Sequence, residues 1–300
     1  MPFEIFIMQV FNGLSLFTIL VLMALGLGIV FGLMGVINMA HGELMTLGAY
    51  ATYFTAHFFS RHLPWLMDYY LVAGIVVAFT ITYAFGYALE RSFIRWFYKR
   101  PLDTLLATWG LSLILQQAYR SLFGAQEVSL PLTSWLTGAW EPVIGIQLPL
   151  NRIFIIGLTV LVAIGVYLLL YKTRAGLRSR AVTQNRAMSS AVGINTDKVD
   201  ATTFALGSGL AGIAGAVFTM IGSTNPGTGQ LYVIDSFIVV VFGGVSSLFG
   251  TVASGFVIAQ VQTTLEYLMS GSMAKVSILL LVILVLYFRP NGLFSSKVRS

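Results

Sequence analysis

Three polar side chains stand close together in an apolar stretch near the N-terminus. Asn38, His41 and Glu43 lie within the segment 26–50, which is otherwise apolar and rich in glycine. A charged side chain at the centre of a membrane helix costs roughly 2.5–3.5 kcal/mol on insertion scales, so such groups usually face protein or water. Asn38 and His41 share one face if the segment is helical, whereas Glu43 points elsewhere. Two interpretations stay open: a polar lining of a transport path, or structural ties to a neighbouring helix.

A second polar set recurs every four positions in the segment 104–122. It forms one stripe along an otherwise apolar helix and consists of Thr104, Thr108, Ser112 and Gln116. Neutral hydrogen-bond donors and acceptors would suit a small uncharged solute. Hydrogen bonding between helices, worth about 0.6 kcal/mol on average in membranes, is the alternative.

Asp235 opens a short apolar run near the C-terminal third of the chain. A carboxylate at such a position either caps a half-helix or meets solute at the outer mouth of a path, and we favour the cap. Counted with the first two sets, Asp235 completes the predicted substrate-path residues.

No motif predicts an enzyme. The chain has no G-x-x-x-x-G-K-[ST] loop for binding ATP, and neither H-E-x-x-H nor G-x-S-x-G occurs. Its three histidines, at 41, 57 and 62, are not arranged as a metal site, and the lack of cysteine excludes disulfides and thiolate ligands. We expect neither a metal nor a cofactor in this chain.

The composition is that of a membrane protein. Of 300 residues, 57% are hydrophobic and only 9% are charged, whereas soluble domains have roughly 25% charged residues. The net charge of +6 does not indicate nucleic acid, because the basic residues flank apolar runs. We therefore expect a single integral-membrane domain over residues 1–300.

The apolar runs predict an all-α, polytopic transmembrane helical bundle. Runs of about 20 residues can cross a bilayer, and we expect about eight or nine membrane segments. The first is long enough to tilt, or to break around Gly26 and Gly28, and the seventh is short enough to be re-entrant or a half-helix. The predicted segments are 5–35, 42–59, 69–90, 104–122, 152–171, 202–222, 235–248, 251–268 and 274–288.

The basic residues predict an orientation. Most of the 17 lysines and arginines fall in three segments that the predicted spans place on one side, which we assign to the cytoplasm. No basic residue precedes Arg61, so we expect the N-terminus outside and the C-terminus in the cytoplasm. The three groups are Arg91, Arg95, Lys99 and Arg100; Lys172, Arg174, Arg178, Arg180, Arg186 and Lys198; and Arg289, Lys297 and Arg299.

The cytoplasmic loop 172–200 has helix formers over 177–192, followed by Gly193 as a C-cap. Its apolar and basic residues are mixed, which suits a short amphipathic helix that either lies on the membrane or docks into a partner. We favour docking. The residues assigned to this coupling role are Gly176, Arg178, Arg180, Gln184, Asn185, Arg186 and Gly193.

Small residues predict close helix packing and a possible internal repeat. Residues of the small-xxx-small kind let helix backbones approach in membranes, and we assign Gly28, Gly32, Gly207, Ala211 and Gly215 to that role. The segments 30–35 and 241–244 also resemble one another, each followed by a glycine-rich apolar run. Paired interrupted segments of this kind favour a transporter with a site near the bilayer midplane.

Four separated motifs resemble one family. GLMGVINMAHGE (32–43), followed by GAY (48–50), resembles the signature of the branched-chain amino acid class of ABC importer permeases. The segments 193–204, 241–251 and 289–294 are similar to later parts of the same family. Within it, the segments 107–117, 120–126, 180–186 and 233–244 resemble the urea-type permeases.

The resemblance implies one of two permease subunits in the inner membrane, each docking an ATPase subunit through the loop around 176–194. A periplasmic binding protein would deliver the solute, and ATP would be used only by the partners. We expect urea import by alternating access. The alternatives are import of branched-chain amino acids or short amides, a passive small-solute channel suggested by residues 38–40 and 225–227, and an ion-coupled carrier using Glu43 or Asp235.

Overall fold

The computed structural model describes residues 3–98, 100–143, 146–245 and 247–294, and these residues are almost all helical. Lys99, Lys297 and Arg299 of the predicted basic groups lie outside the described residues. The described helices are α1 (Phe3–Met34), α2 (His41–His62), α3 (Tyr70–Ser92), α4 (Pro101–Phe123), α5 (Leu150–Lys172), α6 (Arg174–Gln184), α7 (Arg186–Ala191), α8 (Thr196–Phe218), α9 (Thr228–Gly243), α10 (Leu248–Leu268) and α11 (Gly271–Phe288).

Six of these helices, α3 together with its preceding 3₁₀ turn, are long and apolar enough to cross a membrane. They are α1, α3, α5, α8, α10 and α11. α9 has 16 residues, which gives about 24 Å at 1.5 Å per residue, short of the ~30 Å hydrocarbon core. The bundle is thus confirmed, while eight or nine membrane segments remains a prediction.

Helix α8 forms the centre of the bundle and packs against α1, α2 and α3. Its small residues allow this approach. A Cβ added at Gly207 would lie 2.7 Å from the carbonyl oxygen of Gly26, and one at Gly215 would overlap the carbonyl oxygen of Met45. Ala211, between them, is fully buried. Gly28 is less crowded, since a Cβ there would lie 3.5 Å from Thr251 Oγ1.

The interruption between the predicted segments 5–35 and 42–59 is present, but the alternative break around Gly26 and Gly28 is not. α1 runs unbroken through Gly26 and Gly28, because Gly26 packs against α8 rather than ending the helix. The chain leaves the helix at Gly35, whose φ of +67° is accessible mainly to glycine. The predicted run 235–248 likewise extends past the true end of α9, where Gly244 has φ +99°.

The loop 172–200 contains two helices rather than the predicted single helix 177–192. Asn185 is extended, with φ −153°, and its side-chain oxygen accepts the Met188 N–H at 2.9 Å as the N-cap of α7. This competition for the backbone ends α6. Gly193, with φ +88°, does follow the last residues of α7 as expected.

The described residues also include two strands, β1 (Ala139–Val143) and β2 (Ile146–Pro149), so the fold is not wholly α. They pair antiparallel, with Ala139 opposite Pro149 and Trp140 opposite Leu148. The hairpin joins α4 to α5 and lies at the end of the bundle where α5 begins.

The loops that carry the basic residues meet at the opposite end of the bundle. Arg95, after α3, lies 3.6 Å from Asp197 at the start of α8, and Arg186 in α7 lies 3.0 Å from the same carboxylate. We call this the basic end. This end contains the C-terminal ends of α1, α3 and α5, together with the short helices α6 and α7.

Candidate functional site

The break between α1 and α2 brings Asn38 and His41 into the core. Asn38 does not share a helical face with His41, because residues 35–38 are not helical. Its side-chain oxygen instead accepts the Ala40 N–H at 3.1 Å, which shapes the turn into α2. His41 donates from Nε2 to the carbonyl of Met23 at 3.2 Å, so the ring reaches the second half of α1.

Glu43 lies in the first turn of α2 and is fully buried. Its Oε1 accepts hydrogen bonds from Ser112 Oγ at 3.0 Å and from Gln116 Nε2 at 2.9 Å, both on α4. The phenol of Tyr119, one turn further along α4, donates to the Glu43 carbonyl at 3.0 Å. A buried carboxyl group is therefore held by neutral donors alone among the described residues.

The stripe on α4 is the buried face of that helix, as its four-residue spacing predicts. Thr108 accepts the Met39 N–H at 3.0 Å and so fixes the non-helical segment before α2. Thr104 bonds to the carbonyls of Phe97 and Arg100 and ties the start of α4 to the preceding turn. The stripe and the Asn38–Glu43 cluster are thus one network, except for Thr104. We call Asn38, His41, Glu43, Thr108, Ser112 and Gln116 the polar junction.

The start of α9 closes against the polar junction. A Cβ on Gly42 would overlap the carbonyl oxygen of Gly229, so the two helix starts touch through their backbones. The Gly229 N–H donates to Thr46 Oγ1 at 3.0 Å, and Gln116 Nε2 lies 3.2 Å from Gln230 Oε1. Sequence reasoning missed Gln230 and Thr46, and also Tyr119, which the spacing of the stripe could have found.

Asp235 does not belong to this network. It lies in the middle of α9, whose N-cap is Gly227, so its predicted capping role is wrong. Its carboxylate instead pairs with Lys275 of α11 at 2.8 Å. The pairing partner is 40 residues away, which no local pattern could reveal.

Three side-chain atoms of the polar junction are buried and have no partner among the described residues. They are Asn38 Nδ2, His41 Nδ1 and Glu43 Oε2. An unsatisfied buried polar atom costs about 1–3 kcal/mol, so such atoms are usually kept for a role. Each keeps hydrogen-bonding capacity that the described residues do not use.

The predicted coupling residues lie at the basic end, and some are exposed to solvent while others are buried. Arg178, Gln184, Asn185 and Gly193 are exposed, whereas Gly176 is buried against the end of α5. The guanidinium of Arg180 lies 5.0 Å from the ring of Tyr171.

Arg186 is held rather than free. It pairs with Asp197 and Asp200 and lies 5.7 Å from the ring of Tyr98. Burial, together with a hydrogen bond to the Glu90 carboxylate, raises the pKa of Tyr98. The contacts of Arg186 connect α7 to α8 and to the turn after α3.

Helix α6 also contacts the break itself. Thr183 Oγ1 donates to the carbonyl of Leu33 at 2.7 Å, two residues before Gly35. Gly32 lies beside this contact and, with Thr183, lines a cavity of about 230 Å³. A displacement of α6 would therefore act on the segment that leads into the polar junction.

A multi-pass helical bundle with a buried polar junction and a basic end bearing short exposed helices defines a membrane permease. Residues 9–286 match the family of branched-chain amino acid transport system permease components, and the chain belongs to that family.

Curated relatives match over nearly the whole chain. The high-affinity branched-chain amino acid permease LivH of Escherichia coli K12 is 29% identical over 97% of this chain and 96% of its own. BraD of Pseudomonas aeruginosa is 29% identical over 96% and 95%. A probable LivH of Methanocaldococcus jannaschii is 26% identical over 92% and 88%. No solved structure matches the chain.

Membership makes the chain a transporter component without its own ATPase site, as expected from the missing P-loop, and not an enzyme. The family and the apolar helices indicate a multi-pass protein of the inner membrane. The class predicted from the sequence is confirmed. The urea subgroup gains no support, because the relatives named above are branched-chain amino acid permeases.

Proposed function

We propose that the chain is one of two permease subunits of an ATP-driven importer whose cargo is a branched-chain amino acid. One of the importer's two ATPase subunits binds the basic end of this chain from the cytoplasm, and a solute-binding protein delivers cargo at the other end. The N-terminus then lies outside and the C-terminus inside, with residues 1–300 forming one domain and 172–200 its coupling loop. The family match supports the class of machine and the kind of cargo.

The observation that carries the mechanism is the bond from Thr183 to the Leu33 carbonyl. It joins the short helices of the basic end to the last turn of α1, directly before the break. When the ATPase subunits close, α6 and α7 move with them, and this bond passes the movement to residues 35–40. Alternating access requires such a link between the energy source and a gate.

The gate in this proposal is the polar junction. Its chain is not helical at residues 35–38, and its side chains tie α2 to both α1 and α4. Movement of the break would release Asn38, His41 and Glu43 from these ties and offer their unpartnered atoms to solute. Broken helices with exposed polar groups near the middle of a bundle are a common way to build a transport site.

Urea is the second candidate cargo. It is favoured by the resemblance of residues 107–117 and 180–186 to the urea-type permeases. The neutral polar stripe of α4 was a second reason to expect an uncharged solute such as urea. The structure weakens that reason, because the Ser112 hydroxyl and Gln116 amide already donate to Glu43.

Uptake by the purified complex in liposomes tests the proposal. With ATP and the binding protein present, we expect labelled leucine to accumulate and labelled urea to stay outside. The matched control is the same complex with a non-hydrolysable ATP analogue, which should stop uptake. If urea enters and leucine does not, the cargo is urea and not a branched-chain amino acid. Flux that persists without the ATPase subunits would favour a channel.

A further inference from the structure

A cavity of about 490 Å³ lies at the end of the bundle opposite the basic end. It is formed where α1 and α5 begin and where α10 ends. Its volume is within the ~300–1,000 Å³ typical of small-molecule sites. Neither the polar junction nor the coupling helices contribute to it.

Two opposite charges line this cavity, Arg152 at the start of α5 and Glu266 near the end of α10. Among the described residues neither takes part in a salt bridge. They are therefore a cation and an anion that share one cavity without neutralising each other.

Each charge is oriented by a neutral neighbour. Arg152 Nη1 donates to Asn12 Oδ1 at 2.6 Å, and Glu266 Oε1 accepts from Gln262 Nε2 at 2.9 Å. A guanidinium has five N–H donors and a carboxylate has two oxygens, so both groups keep free positions for a ligand. The hydrogen bonds reduce the side-chain freedom that binding would otherwise have to remove.

The wall of the cavity is partly apolar. Leu16 and Ile19 of α1 line it, and Ile19 is only 4% exposed. A ligand that fits both features carries a negative and a positive group at one end and a hydrocarbon group at the other. Neutral urea carries neither charge and no hydrocarbon group.

We infer that this cavity binds a zwitterionic α-amino acid with an aliphatic side chain, its carboxylate on Arg152 and its ammonium on Glu266. The paired N–H groups of arginine match the two oxygens of a carboxylate. The inference rests on the proposed function in its choice of cargo and adds a recognition site on the delivery side. The permease would then check the solute after its release from the binding protein.

Direct binding to the assembled complex in nanodiscs, without the binding protein, tests this assignment. The probes are leucine, leucinamide, which lacks the carboxylate, and 4-methylpentanoate, which lacks the ammonium. We expect leucine to bind at least about tenfold more tightly than either analogue, because each loses one charged contact.

The variants assign each charge to its partner. Arg152→Gln should weaken leucine binding about tenfold and leave leucinamide unchanged, whereas Glu266→Gln should weaken leucine and leave 4-methylpentanoate unchanged. Arg152→Lys keeps the charge but not the paired donors, so its affinity for leucine should lie between those of the wild type and Arg152→Gln. Matched controls are Arg61→Gln and Glu127→Gln, which remove charges outside the cavity.

The outcomes separate the two proposals. Suppose that the wild-type complex imports leucine, but that it shows no direct binding or that the Arg152→Gln and Glu266→Gln complexes bind leucine as tightly as it does. The cavity assignment is then wrong, and the proposed importer function is unaffected. If the wild-type complex imports urea and not leucine, the proposed cargo is wrong. If Arg152→Gln fails to co-purify with the ATPase subunits, the leucine affinities of Glu266→Gln and Arg152→Lys test the cavity assignment instead.

Discussion

Two regions of the molecule share one backbone device, and they use it differently. α1 is followed by a break and α2, and α9 is followed by a break and α10; each break begins at a glycine of positive φ, Gly35 at +67° and Gly244 at +99°. In the first unit the break leads into His41 and Glu43, whose side chains bond to α1 and α4. In the second unit Ser247 caps the helix that follows, and the end of α9 is bonded by Leu293 and Phe294. The two breaks therefore share the glycine and differ in the side chains that follow it.

The second break has hydrogen-bond partners both from its own helix and from the C-terminal segment. Ser247 caps α10 by accepting the Gly250 N–H at 3.0 Å. The carbonyls at the end of α9 accept hydrogen bonds from the N–H groups of Leu293 and Phe294, at 3.0 and 3.1 Å. None of the unpartnered buried side-chain atoms found among the described residues lies in this unit, whereas four lie in the first: the three of the polar junction and the Tyr50 hydroxyl. The first break is therefore the less stable of the two.

The largest expected effect comes from adding a side chain where the first unit meets α9. Gly42→Val places atoms where the Gly229 carbonyl already lies, and we expect a loss of roughly 3 kcal/mol in stability or failure to assemble. Thermal unfolding of the detergent-solubilised chain measures this. Gly110→Val is the matched control, because nothing lies within 4 Å of a Cβ there. Equal melting temperatures for the two variants would contradict the close approach.

A buried carboxyl group distinguishes the first unit from the second. Glu43→Gln keeps the volume and one acceptor for Ser112 and Gln116, but it replaces the unpartnered Oε2 with a donor. We expect ATP-driven uptake to fall about tenfold, equivalent to about 1.4 kcal/mol, with assembly unchanged.

Ser254→Ala provides the comparison in the second unit, where the hydroxyl bonds to the Val239 carbonyl. It should cost about 1 kcal/mol of stability and leave uptake intact. If both variants transport at the wild-type rate, the polar junction is a structural tie and not a gate.

Loss of the contact between α6 and the first unit should uncouple transport. Thr183→Val removes the donor to the Leu33 carbonyl, and we expect uptake per ATP hydrolysed to fall about threefold. Hydrolysis and uptake measured on the same liposomes give this ratio. Thr264→Val is the matched control, because that exposed hydroxyl bonds only to the Gln260 carbonyl of its own helix. An unchanged ratio would remove this bond from the mechanism.

The smallest effect is expected in the second break. Ser247→Ala removes the N-cap of α10, which should cost about 1 kcal/mol of stability. Because the Ser247 hydroxyl bonds to the helix that it caps, uptake per ATP should stay at the wild-type value. A reduced ratio would show that the second break takes part in the conformational change, and the contrast between the two units would fail.

Local patterns in the sequence predict the helices and the buried face of α4. The four-residue spacing of Thr108, Ser112 and Gln116 is enough, since a helix has a fixed period. The sequence does not predict that this face meets Glu43, because the partners are 69 and 73 residues apart. Distances along the chain of that size carry no periodic signal.

Glycine was the residue whose role was hardest to predict. Gly26 and Gly35 lie in the same apolar stretch, yet the first packs against α8 inside a continuous helix and the second ends it. Both uses need a missing Cβ, and only the tertiary neighbours distinguish them. The two charges of the 490 Å³ cavity had no local signal either, since Arg152 and Glu266 lie on different helices.

The polarity of α2 and α4 has a consequence for biogenesis. These are the two long described helices that do not meet the hydropathy level of a membrane span, and they are the ones that carry the polar junction. Because lipid would leave their buried side chains unsatisfied, they should not partition from the translocon individually. We expect them to be retained beside the already inserted α1 until their hydrogen-bonding partners have been synthesised.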